Sequence, residues 1–134
     1  MSALVQHRQS LLHHHLDQAD SAARADLWWL LTRTHAYAAA AGITVDVVLD
    51  PRSYHRRTGR TVGRWCAGDA YTGPAGARWP VPLIYLSPRL LPTRGDAETV
   101  IAHEVMHARW PSYGHKKIAF ARAQQLLDAV AGIA

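Results

Sequence analysis

Two histidines four residues apart, His103 and His107, can reach a common point when the chain between them is helical. Along an α-helix, positions i and i+4 differ by about 40° and about 6 Å of rise, whereas a strand would spread them over about 13 Å. The pentapeptide His103-Glu104-Val105-Met106-His107 therefore suits a helix, and its flanks predict one. Thr93 and Asp96 are spaced as a capping box, with Asp in place of the usual Glu or Gln. Pro111 lacks an amide donor and disfavours helical geometry in the residue before it, so the helix should run to Trp110 and a tight turn should occupy Pro111 to Gly114. Beyond the turn, Ile118, Ala119, Ala123, Leu126, Leu127 and Val130 form the apolar stripe of a last helix.

Upstream, Leu4, Val5, Leu11, Leu12 and Leu16 recur at near-helical spacing between Ser2 and Leu16. A second helix is predicted to carry Leu27, Trp28, Leu30, Leu31, Thr34 and Ala38, capped by Asp20 or Ser21 and stopped at Gly42 by a left-handed residue. Ile43 to Leu49 is β-branched and bounded by Gly42 and Asp50-Pro51, which reads as a strand. Shorter strand candidates at Val62 to Tyr71 and Val81 to Leu86 are separated by turn residues from Thr72 to Gly76. With 134 residues there is room for one domain. The expected class is α+β: a small mixed or antiparallel three-stranded sheet packed against N-terminal helices, the histidine-bearing helix and a C-terminal helix.

Composition removes several alternatives. Hydrophobic residues are 49% and charged residues 19% of the chain, which excludes disorder as its main state. The longest apolar runs, Leu27 to Leu31 and Ala36 to Ala41, fall far short of the roughly 20 residues that cross a bilayer, and the first residues do not resemble a secretory signal. A cytoplasmic location and no membrane partner are expected. Cys66 is the sole cysteine, so an internal disulfide and a cysteine-rich zinc finger are both excluded. Any metal must be held by histidine or carboxylate, and Cys66 itself, with no patterned base nearby, reads as a buried structural thiol.

The helical His-Glu-x-x-His pattern is the zincin motif. Both imidazoles can bind one zinc ion at about 2.0–2.1 Å, while Glu104, about 100° round the helix from His103, is the candidate general base for a water in the open position. Zinc brings the pKa of such a water towards about 7 and polarises a carbonyl, and the carboxylate can pass the proton to a leaving amine. That chemistry hydrolyses a peptide bond. Glutamate is scarce, only Glu98 and Glu104 being present, and one of the two falls in the motif. A catalytic zinc usually keeps three protein ligands. His115, just past the Pro111 to Gly114 turn, is the first candidate for the third and Asp128 the alternative. The metzincin spacing fails because Trp110 and Tyr113 occupy its Gly and His positions, and no Glu follows Glu104 to complete a gluzincin site.

The run Ile101-Ala-His-Glu-Val-Met-His-Ala108 followed by Gly114-His115 resembles the SprT-like family of small zinc metallopeptidases, which includes the Spartan proteases. The resemblance extends upstream through the strand at Ile43 to Leu49, Gly63 to Tyr71 and Ile84 to Leu90, in a helix, three-strand, helix order spanning about Asp26 to Asp128. It implies a single metalloprotease domain over residues 1–134, a zincin-like fold, zinc as cofactor, and His115 as the third ligand through the family's Gly-His. The family's aromatic shortly after Gly-His is displaced here to Phe120.

The net charge is +5, and thirteen of the fifteen cationic residues are Arg, suited to bidentate phosphate contacts. Arg52, Arg56, Arg57, Arg60 and Arg64 lie in an acid-free segment with Tyr54, His55 and Trp65, a composition that suits single-stranded DNA through phosphate contacts and base stacking. The same arginines would also serve simply as a solvated segment beside the sheet. Two functional readings follow: a peptidase acting on proteins or peptides, including DNA-associated ones, and a nucleic-acid-binding module whose zinc is structural, as in an antirestriction-type mobile-element protein. Two finer expectations concern the peptidase. Val81 to Leu86 is expected to offer a sheet edge for strand addition by a peptide, and Tyr113 is a candidate donor to the oxyanion. His13-His14-His15 is not expected to form a site, since consecutive helical residues point in different directions. Of Trp28 and Trp29, at least one should be core.

Overall fold

The computed structural model describes residues 18–74 and 77–132. The expected helix from Ser2 to Leu16 and the His13–His15 tract lie outside the described residues. Within them the order is α1 (Gln18–Ala22), α2 (Leu27–Ala40), β1 (Asp46–Val48), α3 (Pro51–Thr58), β2 (Gly68–Tyr71), β3 (Leu83–Leu86), α4 (Arg94–Arg109) and α5 (Lys117–Ala131). Single 3₁₀ turns stand at Pro88–Leu90 and Pro111–Tyr113.

The start of α2 differs from the sequence expectation. Asp20 and Ser21 belong to the short α1, and the cap is Asp26, whose Oδ1 accepts from the Trp29 amide at 2.8 Å. The chain leaves α1 to form an isolated bridge between Arg24 and Thr93, and a second Asp-capped start is then needed. Gly42 ends the segment at φ +74°, the left-handed stop that was expected.

The sheet has the order β1-β3-β2, with β1 parallel and β2 antiparallel to β3. It is therefore mixed, not wholly antiparallel. The parallel pair requires a crossover, and α3 supplies part of it. Helix α3 was not expected, since Asp50-Pro51 reads equally as the end of a strand. The same pair makes a helix start: Asp50 accepts from the Ser53 amide at 2.7 Å, Pro51 occupies the first turn, and Gly59 closes the helix. The strands are also shorter than expected. The first loses Ile43 to Val45, and the second begins only at Gly68, because a turn from the Gly63 carbonyl to the Cys66 amide (3.1 Å) precedes it.

Central strand β3 is buried on both faces, as its unbroken Leu-Ile-Tyr-Leu implies. Ile84 and Leu86 join the main core with α2, α4 and α5, while Leu83 and Tyr85 face the other way and cluster with Tyr54 of α3. Helix α4 is the hub: most of its residues are buried, and it lies between the sheet and the pair α2 and α5. Thr93 caps it as expected, accepting from the Asp96 amide at 3.1 Å and donating to the Asp96 carboxylate at 2.8 Å. In α5, Ala119, Ala123, Leu126 and Leu127 form the buried stripe. Ile118, expected in that stripe, is exposed in the first turn of the helix. No helix among the described residues is long and apolar enough to cross a membrane.

Candidate metal centre

Helix α4 places His103 and His107 on one face, and their Nε2 atoms stand 2.9 Å apart. The chain then leaves the helix at Trp110, makes the 3₁₀ turn Pro111–Tyr113, and reverses at Gly114. With φ +55° and ψ −130°, Gly114 occupies backbone space that an L side chain rarely enters. That reversal brings His115 Nε2 to 3.2 Å from His107 Nε2. The three histidines each offer a ring nitrogen within 4.8 Å of the others. Three nitrogens around a tetrahedral zinc at about 2.0–2.1 Å are separated by about 3.4 Å, so the donor set fits a zinc-sized ion. His103 is buried, His107 half-buried and His115 exposed, which leaves one side of the cluster open to the cleft.

Glu104 is 5% exposed and lines the same cleft, a space of about 430 Å³. Its opposite wall is β2, through Gly68, Asp69 and Ala70, with Thr72 just after the strand. The Ser87 amide donates to the Ala67 carbonyl at 2.9 Å, which sets the alternation of the β2–β3 ladder. Asp69 and Tyr71 then bond inward to β3, while Gly68 and Ala70 turn their amides and carbonyls to the open edge. The Cys66 thiol donates to the Gly68 carbonyl at 3.2 Å. The sheet edge expected at Val81 to Leu86 is thus corrected: β3 is paired on both sides, and the edge facing the histidines is β2.

Asp69 spends its charge within the protein. It accepts from the Tyr54 hydroxyl at 2.6 Å and pairs with Arg60 at 3.3 Å. Burial, followed by this bond to Asp69, pushes the Tyr54 hydroxyl well above its usual range. The Cys66 thiol is also pushed up, first by burial and then by the nearby charges of Asp69 and Glu104, in keeping with an unreactive thiol. On the far side of α4, Glu98 is fully buried and joins this helix to α2. It pairs with Arg33 at 2.7 Å and accepts from the Tyr37 hydroxyl. Burial is the largest single influence and works against the Arg33 charge, but the bond to Glu98 and the charges of Glu98, Tyr37 and Asp20 together outweigh it and the guanidinium pKa is raised.

The remaining expected residues separate. Asp128 lies on α5, accepts from Gln124 at 3.1 Å, and is not part of the metal-competent group among the described residues. Tyr113 stacks on Trp110 with ring centroids 6.0 Å apart and planes 5° from parallel, and it packs against the core instead of lining the cleft. Of the five arginines, Arg52, Arg56 and Arg57 ride on α3, and Arg57 pairs with Asp46 at 2.9 Å. Arg60 is held by Asp69. Arg64 lies over Trp65, which is 74% exposed and is also approached by the guanidinium of Arg89. Trp29 packs on the core beneath Arg33 and Arg94, and Trp28 is exposed.

Sequence reasoning missed Gly68, Asp69, Arg89 and the buried role of Glu98. A glycine inside a strand pattern signals close backbone approach, and Gly68 carried that signal. The other three depend on pairings distant in the chain. Among known proteins, no family model, curated protein or solved structure matches this chain.

Proposed function

We propose that the chain is a zinc metallopeptidase of the SprT-like kind, with His103, His107 and His115 as metal ligands and Glu104 as general acid and base. The observation that carries this reading is the convergence of three imidazole nitrogens, from α4 and from the turn after it, beside a nearly buried carboxylate in one open cleft. Bound zinc would supply Lewis acidity and lower the pKa of a water in the cleft. Glu104 would take the proton of the attacking water and hand it to the leaving amine. The Gly68 amide and the amide and carbonyl of Ala70, turned to the open edge, would hold an extended peptide along β2 by strand addition. The substrates are proteins or peptides and the location cytoplasmic, in keeping with the free thiol at Cys66. The test is Glu104→Ala assayed on labelled casein: zinc content should persist while cleavage is abolished. Loss of zinc together with activity would make Glu104 structural and contradict the assignment.

A second reading, binding of single-stranded nucleic acid, is favoured by one observation. The indole of Trp65 is 74% exposed and has the guanidiniums of Arg64 and Arg89 within 5.4 Å and 5.2 Å of its ring, an aromatic surface with phosphate-binding groups beside it. Oligothymidylate should bind with a steep salt dependence that survives Glu104→Ala and weakens in Trp65→Ala. Absence of binding at low salt rules it out.

A further inference from the structure

We infer that Gly68 is a positioning residue for Glu104: the side chain it lacks leaves the space in which the Glu104 carboxylate stands. The inference rests on the reading of Glu104 as general base. Strand β2 crosses α4 where Val100 and Glu104, one helical turn apart, form a ridge. A Cβ at position 68 would lie 3.0 Å from Glu104 Cγ, 3.2 Å from Glu104 Oε2 and 3.0 Å from Val100 Cγ1. Ordinary carbon–carbon contact is about 3.5–4.0 Å, so the neighbours would have to give way. Backbone conformation is not the reason for glycine here, since Gly68 is not among the positive-φ glycines. The position requires empty space.

What fills that space is the functional side chain. Glu104 is 5% exposed and its neighbour His103 only 3%, so the carboxylate has little room to retreat within the core. On either side of Gly68 the strand is tied to β3, by the Ser87 amide on the Ala67 carbonyl and by the pairing of Asp69 with Tyr85, so β2 is not free to swing away. A methyl group at 68 would therefore push the carboxylate towards the cleft and out of line. General-base transfer needs a heavy-atom approach of about 2.6–3.2 Å, and a displacement of about 1 Å at such a group costs up to about 10²-fold in rate. The Val100 contact gives the opposing explanation, in which Gly68 serves packing alone, and the two can be separated.

The experiment uses the full chain loaded with cobalt, whose visible absorption reports ligands at the metal. Two probes are titrated into wild type, Gly68→Ala and Gly68→Ala/Val100→Ala. Acetohydroxamate binds the metal and gives a proton to an adjacent carboxylate; azide needs only the metal. In Gly68→Ala, acetohydroxamate should bind at least about tenfold more weakly while azide stays within about twofold, because the carboxylate and not the metal has moved. Removing the Val100 methyl groups relieves the core contact, so the double variant should recover thermal stability but not acetohydroxamate affinity. Recovery of both would make Gly68 a packing residue and overturn the inference, as would failure of both variants to fold, unchanged acetohydroxamate binding, or an equal loss of the two probes. Wild-type protein that takes up no cobalt would instead overturn the reading of the site, and this inference with it.

Discussion

His115 Nε2 stands 3.2 Å from His107 Nε2 although the two residues are eight positions apart and only His107 is helical. The join between them turns on Gly114 at φ +55° and ψ −130°. A side chain there would strain the backbone by about 1–3 kcal/mol or swing His115 away. At about 1.4 kcal/mol per decade, Gly114→Ala should bind zinc about tenfold more weakly than wild type, with the helix and both of its histidines intact. Competition against a chromophoric chelator measures this, and equal affinities would show that the turn does not aim His115.

Glu98 predicts stability in the same helix without touching the metal. It is buried, pairs with Arg33 at 2.7 Å, and accepts from Tyr37. Glu98→Ala strands a guanidinium and a hydroxyl at the α2–α4 contact and should cost about 3 kcal/mol in urea unfolding, with zinc content unchanged. A loss below about 1 kcal/mol would mean that the pair merely breaks even with its desolvation.

Alkaline pH should unfold the protein through two tyrosines. Tyr37 is pushed up first by burial and then by the charge of Glu98, and Tyr54 first by burial and then by its bond to Asp69. Both stay protonated when the unfolded chain begins to lose these protons near pH 10. Above that pH the native state holds more protons than the unfolded state, so stability falls as pH rises. The slope is about 1.4 kcal/mol per pH unit for each tyrosine. Urea unfolding at successive pH values should show this fall in wild type and a shallower one in Tyr37→Phe; the same slope in both would contradict the assignment.

What the sequence showed was what local chemistry decides. The cap at Thr93, the stop at Trp110-Pro111 and the i, i+4 histidines are all read within one or two helical turns, and α4 has those features. Helix α3 was also locally encoded, by Asp50, Pro51 and Gly59, but the same Asp-Pro pair serves as well for the end of a strand. Strand order is different in kind. Whether Leu83–Leu86 lies at the centre or the edge depends on a parallel partner more than thirty residues earlier, Asp46–Val48. The far wall of the cleft was therefore assigned to the wrong strand. Glu98 finds Arg33 65 positions away, and Arg89 reaches the Trp65 ring from 24 positions away, contacts that no periodicity announces.

Zinc content decides whether His103, His107 and His115 form a metal centre. Wild type, His115→Ala and Asp128→Ala should be purified, washed with a mild chelator and measured by elemental analysis. A three-histidine site should give one zinc per chain in wild type and in Asp128→Ala, with the metal lost or greatly weakened in His115→Ala. Little zinc in wild type, or full zinc in His115→Ala, would contradict it.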